Sequence, residues 1–177
     1  RLGISRSPLR EALRMLETRG MVTITPQRGA RVTLLSTEEV VQLFDIRAVL
    51  VGLAARELAA RCAAGLPPGL ADRLAALEAS VGDAQAYARA SAAAALEIAR
   101  LSGNARLADM IGSFAQSIGR YARLGLATQA RRNRSIRNWR ALFAAFRNAD
   151  PEVAEMLQRR LATENRDAVL ETVAARQ

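Results

Sequence analysis

The chain opens with a pattern for a short amphipathic helix, and a β-hairpin pattern follows it at once. Ser5 and Ser7 are residue types that cap helix N-termini, and Pro8 suits a first turn, whose N–H groups have no partner within the helix. Arg6 and Arg10 are four positions apart, so they lie on one face of the predicted helix. Another face carries an apolar stripe, formed by Leu9, Leu13 and Leu16. Such a helix can pack against protein while it presents its arginines to a partner.

Two β-type runs come after this helix, which Gly20 is placed to end. They are Met21–Thr25 and Ala30–Leu34, and the segment Pro26–Gly29 between them has the composition of a turn. Helix, strand, basic tip and strand is the layout of a winged helix-turn-helix, in which Arg28 would reach a phosphate or the minor groove of double-stranded DNA. A small α/β unit with incidental surface arginines is the alternative.

Positive charge is concentrated in the first 35 positions. All 26 basic residues of the chain are arginine, and with 17 acidic residues they give a net charge of +9. Residues 1–35 hold seven arginines and two glutamates, a net charge of +5, whereas the rest of the chain carries +4. A small basic module joined to a nearly balanced larger one is typical of a nucleic-acid-binding protein.

From residue 36 onward the pattern is helical. Ser36 and Glu39 form a capping box, and Asn104 and Asp150 are placed to cap later helices. An arginine-rich connection precedes the helix that contains Trp139. We predict an antiparallel bundle of about six helices.

The predicted fold class is therefore mainly α. An incomplete N-terminal winged helix-turn-helix domain with a β-hairpin wing occupies residues 1–35, and an all-α domain occupies residues 36–177. No apolar run approaches the length of a membrane span and no signal peptide is visible, so we expect a cytoplasmic protein with no membrane partner.

Several segments resemble the GntR family of bacterial transcription regulators. In the first domain they are Leu2–Leu13 and the wing Arg28–Val32. The second domain resembles the ligand domain of the FadR-like subfamily, the FCD type, at Leu35–Glu39, Phe44–Arg47, Leu53–Ala55, Ser102–Asn104 and Ala149–Asp150. The resemblance covers nearly the whole chain. It also implies that two helices come before the DNA recognition helix, which is the helix predicted at Ser5–Leu13. We therefore expect this chain to be a fragment.

The resemblance implies a repressor that binds a palindromic operator in double-stranded DNA as a homodimer. It assigns the DNA contacts to Ser5, Arg6, Ser7, Arg10, Arg28 and Gly29. An effector bound in the helical domain would change how the two DNA-binding domains are placed.

FCD-type domains commonly hold a divalent metal with one aspartate and three histidines. Counted from the matching segments, these ligand positions fall on Ser91, Ala95, Trp139 and Leu161. None of these side chains is an ordinary metal ligand, and the chain contains no histidine. We therefore predict that the metal site has been lost and that the protein uses no cofactor.

Two interpretations of the former metal site stay open. Core side chains have filled it, so that the helical domain serves only for dimerisation, or it is a pocket for a small organic acid bound without metal. The candidate effector-binding residues are the four former ligand positions together with Arg47, Tyr121 and Asn138. Arg47 is the main candidate for binding a carboxylate, because a guanidinium can hold one through two parallel hydrogen bonds. An ion pair with an acid such as Glu97 would explain the presence of Arg47 at this position equally well.

The remaining features concern charge and chemistry. Residues 120–147 contain eight arginines and no acid, which fits a solvated face, a second DNA-facing surface or an entrance for an anionic effector. The chain has no histidine, no lysine and a single cysteine, Cys62, and it shows neither a phosphate-binding loop nor a nucleophile elbow. We do not expect an enzyme.

Overall fold

The computed structural model describes residues 5–18, 22–25, 27, 29–32 and 35–174. The chain divides into two compact units, Arg1–Ser36 and Thr37–Gln177. Within the described ranges, no helix has both the length and the apolar character needed to cross a membrane.

The first unit contains one helix and a two-stranded antiparallel sheet. Its elements are α1 (Arg6–Thr18), β1 (Val22–Thr25) and β2 (Gly29–Val32). Thr25 pairs with Gly29 at the end of the ladder, and Gln27 lies in the turn between the two strands. Gln27 and Gly29 have φ angles of 62° and 85°. These positive angles let the chain reverse over so few residues, and they explain why a glycine stands at the start of β2.

The helix and the hairpin of this unit are joined near the C-terminal end of α1. The backbone N–H of Ile24 donates a hydrogen bond to Glu17 Oε1, with a nitrogen–oxygen distance of 3.0 Å. Leu13 and Leu16 are half-buried, but Leu9 is 47% exposed. The predicted apolar stripe is therefore wrong at Leu9, which lies two turns away from the contact between α1 and the hairpin.

The second unit is a bundle of six helices. They are α2 (Thr37–Arg61), α3 (Leu70–Ser80), α4 (Ala84–Leu101), α5 (Ala105–Leu124), α6 (Gln129–Arg147) and α7 (Pro151–Ala174). Asn104 caps α5 by accepting from the N–H of Leu107, and Asp150 caps α7 by accepting from the N–H of Val153, both over 3.0 Å. The mainly α fold class, with a hairpin beside the first helix and six helices after it, is confirmed.

The first and last helices of the bundle, α2 and α7, pack against each other in antiparallel orientation. Asp45 pairs with Arg166 near one end of the two helices, and Arg56 pairs with Glu155 over 3.2 Å near the other. Gly52 of α2 lies close to the side chain of Arg159 of α7, since a Cβ at position 52 would come within 2.6 Å of Arg159 Cγ.

Two predictions about the bundle are wrong in detail. Helical spacing predicts one apolar face of α2 from Leu43, Ile46, Leu50, Leu53 and Leu58, yet Ile46 and Leu53 are 47% and 38% exposed. The buried face of α2 is formed mainly by other residues, among them Phe44, Ala48, Val51 and Ala55. The arginine-rich segment is not a connection, since α6 already begins at Gln129 and the link from α5 is only residues 125–128.

Candidate functional site

Three of the six residues assigned to DNA are exposed at the start of α1 or within its first turns. Ser5, Ser7 and Arg10 are exposed, and Gly29 begins the strand that follows the hairpin tip. The side chain of Arg6 and the whole of Arg28 lie outside the described residues.

Two further arginines of the first unit were not among the predicted contacts. Arg14 lies one helical turn beyond Arg10 and is exposed, and Arg31 is exposed on β2. No ion pair within the described part of the chain engages Arg10, Arg14 or Arg31. Spacing alone could have identified Arg14, because it continues the four-residue repeat of Arg6 and Arg10. Their guanidinium groups are available for phosphate or base contacts.

The helical unit surrounds a cavity of about 220 Å³. All four positions at which the family resemblance expects metal ligands line it: Ser91 and Ala95 from α4, Trp139 from α6 and Leu161 from α7. The chain segments that supply these positions thus meet at one place in the bundle.

These four residues do not fit a metal ion. Ala95 and Leu161 have no donor atom, the indole N–H of Trp139 has no lone pair to give, and a single serine hydroxyl is a weak ligand. Over the described ranges, no group of three or more His, Cys, Asp or Glu residues could hold a metal.

Arg47 reaches the same cavity from α2. Burial lowers the pKa of its guanidinium to about 10, so the group remains a cation at neutral pH. Glu97, the acid expected to pair with it, binds Arg73 instead over 3.1 Å. Among the described residues, Arg47 has neither a hydrogen-bond nor an ion-pair partner.

The charged residues around the cavity all have the same sign. Arg47, Arg89, Arg123 and Arg131 line it, and no aspartate or glutamate does so. Arg89 and Arg123 are exposed, whereas Arg131 is buried. A site lined in this way attracts an anion and disfavours a cation.

Tyr121 and Asn138 do not line the cavity, although both were predicted to bind the effector. Tyr121 is buried, and its hydroxyl accepts a hydrogen bond from Arg120 Nη2 over 2.8 Å. The amide of Asn138 donates to Glu164 Oε2 over 3.0 Å. Both side chains therefore serve contacts between protein groups.

The eight arginines between residues 120 and 147 do not form one solvated face. Arg132 is buried and donates to the carbonyl oxygens of Val81 and Ala127 over 2.7 and 2.6 Å, which ties α6 to the end of α3. Arg140 pairs with Glu78 of α3 over 2.7 Å. Part of the cationic segment thus has a structural role, and another part belongs to the cavity.

Besides the exposed Arg89 and Arg123, four buried polar residues line the cavity that were not among the candidate effector residues, namely Arg131, Ser135, Gln158 and Asn165. Of these four, the first two precede Trp139 by eight and four positions on α6, and the last two flank Leu161 on α7. Helical spacing from Trp139 and Leu161 was a signal that could have identified them.

Comparison with known proteins identifies two family regions. The model described as "Bacterial regulatory proteins, gntR family" matches residues 1–32, and the model described as "FCD domain" matches residues 42–164. An uncharacterized HTH-type transcriptional regulator of Agrobacterium vitis, from the TAR-I ttuE-ttuC' intergenic region, is 36% identical over 58 residues. That match spans 33% of this chain and 34%, about a third, of the relative.

Solved structures share the fold at low sequence identity. Escherichia coli McbR/YncC superposes with a TM-score of 0.80 at 24% identity, covering 97% of this chain and 87% of the other. Lar, which controls expression of the Listeria monocytogenes agr system, gives a TM-score of 0.71 at 19% identity, covering 96% and 81%. The FCD model alone matches more than half of the residues. The chain therefore belongs to the GntR family of transcription regulators, within the group that carries an FCD domain.

Proposed function

We propose that this chain is a dimeric repressor that binds a palindromic DNA operator in the bacterial cytoplasm and responds to a small organic acid held without metal. The DNA-binding part of the proposal is supported by the family match over residues 1–32 and by the exposed arginines of α1. The effector part is supported by the cavity and by Arg47.

In this proposal α1 lies in the major groove. Arg10 contacts a base edge or a phosphate, Ser5 and Ser7 contact the backbone, and the hairpin tip with Arg28 and Gly29 approaches the neighbouring groove. A homodimer presents two such helices to two half-sites, which explains the palindromic operator.

The single observation that carries the effector proposal is the guanidinium of Arg47, which has no partner among the described residues and lies beside a cavity that no described acid lines. Burying a cation without a partner is costly, and the lowered pKa of Arg47 reflects that cost. A carboxylate in the cavity would compensate for the lost hydration through two parallel hydrogen bonds. Such a ligand acts as an effector when it binds the DNA-binding conformation and the released conformation with different affinities.

The second candidate is a helical domain that serves only for dimerisation. It is favoured by Trp139, which is 2% exposed and packs against Phe143 with ring centroids 6.3 Å apart. Its indole fills part of the space that a metal and its ligands would need.

A titration separates the two candidates. An operator is selected from random DNA, and its affinity for the protein is measured by fluorescence anisotropy with small organic acids, in the presence and absence of a chelator. We expect an acid to change the affinity equally with and without chelator, and Arg47→Gln to abolish that response. Arg61→Gln is the matched control, because Arg61 is exposed on the same helix and does not line the cavity. If no acid changes either operator affinity or thermal stability, the dimerisation-only function is correct.

A further inference from the structure

We propose that Arg131 is a second anion-binding residue of the cavity and that, with Trp139 and Gln158, it makes the site selective for a hydroxylated dicarboxylate. This inference rests on the proposed function, because it names the chemical class of the effector for the same cavity.

Arg131 has an incompletely used guanidinium. The residue is 8% exposed, and its Nε donates to the carbonyl oxygen of Glu164 over 3.3 Å. Nη1 lies 3.5 Å from Glu164 Oε2, a contact too long for a good hydrogen bond. Both Nη atoms are buried without a hydrogen-bond partner within the described part of the chain. A guanidinium has five N–H donors in a planar fork, so most of this fork is left for a carboxylate.

Trp139 adds a second unused donor on the same helix. It lies eight positions after Arg131, two turns along the same face of α6, and both residues line the cavity. Its indole Nε1 is buried and has no hydrogen-bond partner among the described residues. Buried N–H groups of this kind are nearly always satisfied in folded proteins, so each one beside a cavity points to an acceptor supplied by a ligand.

Gln158 of α7 supplies a hydrogen-bond acceptor, which complements the donors of Arg131 and Trp139. Its Oε1 is buried without a hydrogen-bond partner in the described ranges, and the residue lines the cavity. An amide can turn either its oxygen or its N–H₂ toward a neighbour, and a hydroxyl can donate as well as accept. An ammonium group would satisfy the oxygen too, but the four arginines and the lack of acids around the cavity disfavour a cation.

Asn165 is not part of this set, although its Oδ1 also lacks a hydrogen-bond partner in the part of the chain that the structure describes. Its Nδ2 donates to the carbonyl oxygen of Ala122 over 3.3 Å, and its Oδ1 lies against the backbone of Gly125. The amide of Asn165 is therefore engaged in packing α7 against the end of α5.

The two buried or half-buried arginines of the cavity and the volume of the cavity indicate which class of ligand it can hold. Arg47 and Arg131 come from different helices and line one space, so a ligand with two separate carboxylates can engage both. The cavity of about 220 Å³ equals roughly seven water molecules at about 30 Å³ each, which fits a compact acid.

Three matched pairs of ligands test the proposal with the 177-residue chain, by calorimetric titration and thermal unfolding. Malate and 2-hydroxyglutarate have two carboxylates and a hydroxyl, succinate and glutarate lack the hydroxyl, and lactate and 2-hydroxybutyrate lack the second carboxylate. We expect one of the hydroxylated dicarboxylates to bind about tenfold or more tightly than its monocarboxylate partner, since a hydrogen bond to a charged group is worth that much. It should bind about two- to tenfold more tightly than the dicarboxylate without the hydroxyl, because the hydroxyl bonds to the neutral amide of Gln158.

Substitutions test which residues bind each carboxylate of the ligand and which residue binds its hydroxyl. Arg131→Lys keeps the charge but loses the fork, and Trp139→Phe keeps an aromatic ring but loses the N–H. We expect both to weaken dicarboxylate binding about tenfold and to leave the monocarboxylate affinity nearly unchanged, because Arg47 still holds one carboxylate. Gln158→Met should remove the preference for malate over succinate. Arg137→Gln, an exposed residue of α6 outside the cavity, is the control.

The outcomes separate this inference from the proposed function. If monocarboxylates bind as tightly as dicarboxylates and Arg131→Lys changes neither, the inference is wrong while the proposed effector function stands. If none of the six acids binds, the inference is wrong, and the operator titration then decides the proposed function on its own.

Discussion

Asn138 on α6 donates a hydrogen bond to Glu164 on α7, with 3.0 Å between Nδ2 and Oε2, beside the cavity and not within it. The other oxygen of Glu164 accepts from Arg160 Nε over 2.8 Å, and Arg131 Nη1 lies 3.5 Å from Oε2. Glu164 therefore links α6 to α7 and holds a negative charge next to a buried cavity arginine. Asn138, predicted as an effector ligand, instead orients this carboxylate.

Glu164→Gln tests that arrangement. The change removes the charge that accompanies the buried Arg131, so we expect the free energy of unfolding to fall by about 1.5–3 kcal/mol, the range for a hydrogen bond to a charged group. Urea denaturation measures the loss. Glu152→Gln is the control on the same helix, because Glu152 is exposed and its ion pair with Arg56 is solvated. Equal stability of the two variants would show that Glu164 does not support Arg131.

Gly125→Ala tests the close contact between α5 and α7. A Cβ at this position would lie 1.9 Å from Asn165 Oδ1 and 2.5 Å from the Asn165 carbonyl oxygen, so the helix ends must move apart. We expect a loss of about 1–3 kcal/mol or more, as for other overpacked sites, measured by thermal or urea unfolding. Gly112→Ala on the same helix meets nothing nearer than 4.0 Å. That control should stabilise the protein by up to about 1 kcal/mol through helix propensity.

The helix starts follow from local patterns, whereas the location of the cavity follows from the family resemblance. Capping residues such as Asn104 and Asp150 mark helix starts, because their side chains satisfy N–H groups within three residues along the chain. The structure brings Ser91, Ala95, Trp139 and Leu161 to one cavity, as expected if the family's helix order is preserved.

Side-chain environments depend on partners that are distant in sequence. Helical periodicity shows that Ile46 and Leu53 share a face, but not that a different face of α2, with Phe44, Ala48 and Val51, is the buried one. The sequence predicts that Arg132 is a surface charge, yet the residue is buried, because carbonyl oxygens near the end of α3 accept its hydrogen bonds. Tertiary packing, which a single sequence does not specify, decides such cases.

Arg47→Met tests whether a cation is buried at a cost to stability. The folded state lowers the pKa of Arg47 to about 10, below the value of the unfolded chain, so at neutral pH folding buries a charge that the unfolded chain keeps hydrated. We expect Arg47→Met to raise the free energy of unfolding at neutral pH by about 1–2 kcal/mol and to abolish the response to organic acids.

The gain in the free energy of unfolding expected for Arg47→Met depends on pH in a defined direction. From about pH 6 to pH 9 Arg47 is protonated in both states, so the gain should be constant. Above about pH 10 the folded state binds fewer protons than the unfolded chain. The contribution of Arg47 to the stability of the wild type then becomes less unfavourable as the pH rises. The difference in the free energy of unfolding between the wild type and Arg47→Met therefore becomes smaller. Urea denaturation across this range measures the effect, and a variant less stable than wild type at neutral pH would mean that a protein group already pairs with Arg47.

Arg10→Ala and Arg14→Ala distinguish base recognition from phosphate contact on α1. Both side chains are exposed, and Arg10 lies nearer the N-terminus of the helix, which in this class of domain meets the base edges. We expect Arg10→Ala to cost about 1–3 kcal/mol on the selected operator and to relax the preference at one base pair. Arg14→Ala should weaken binding to all sequences alike and lower the salt slope by about one. Arg61→Gln, in the helical unit, should leave both quantities unchanged. Operator and random DNA are compared at several salt concentrations, and an Arg10→Ala protein with unaltered affinity and sequence preference would remove α1 from the DNA interface.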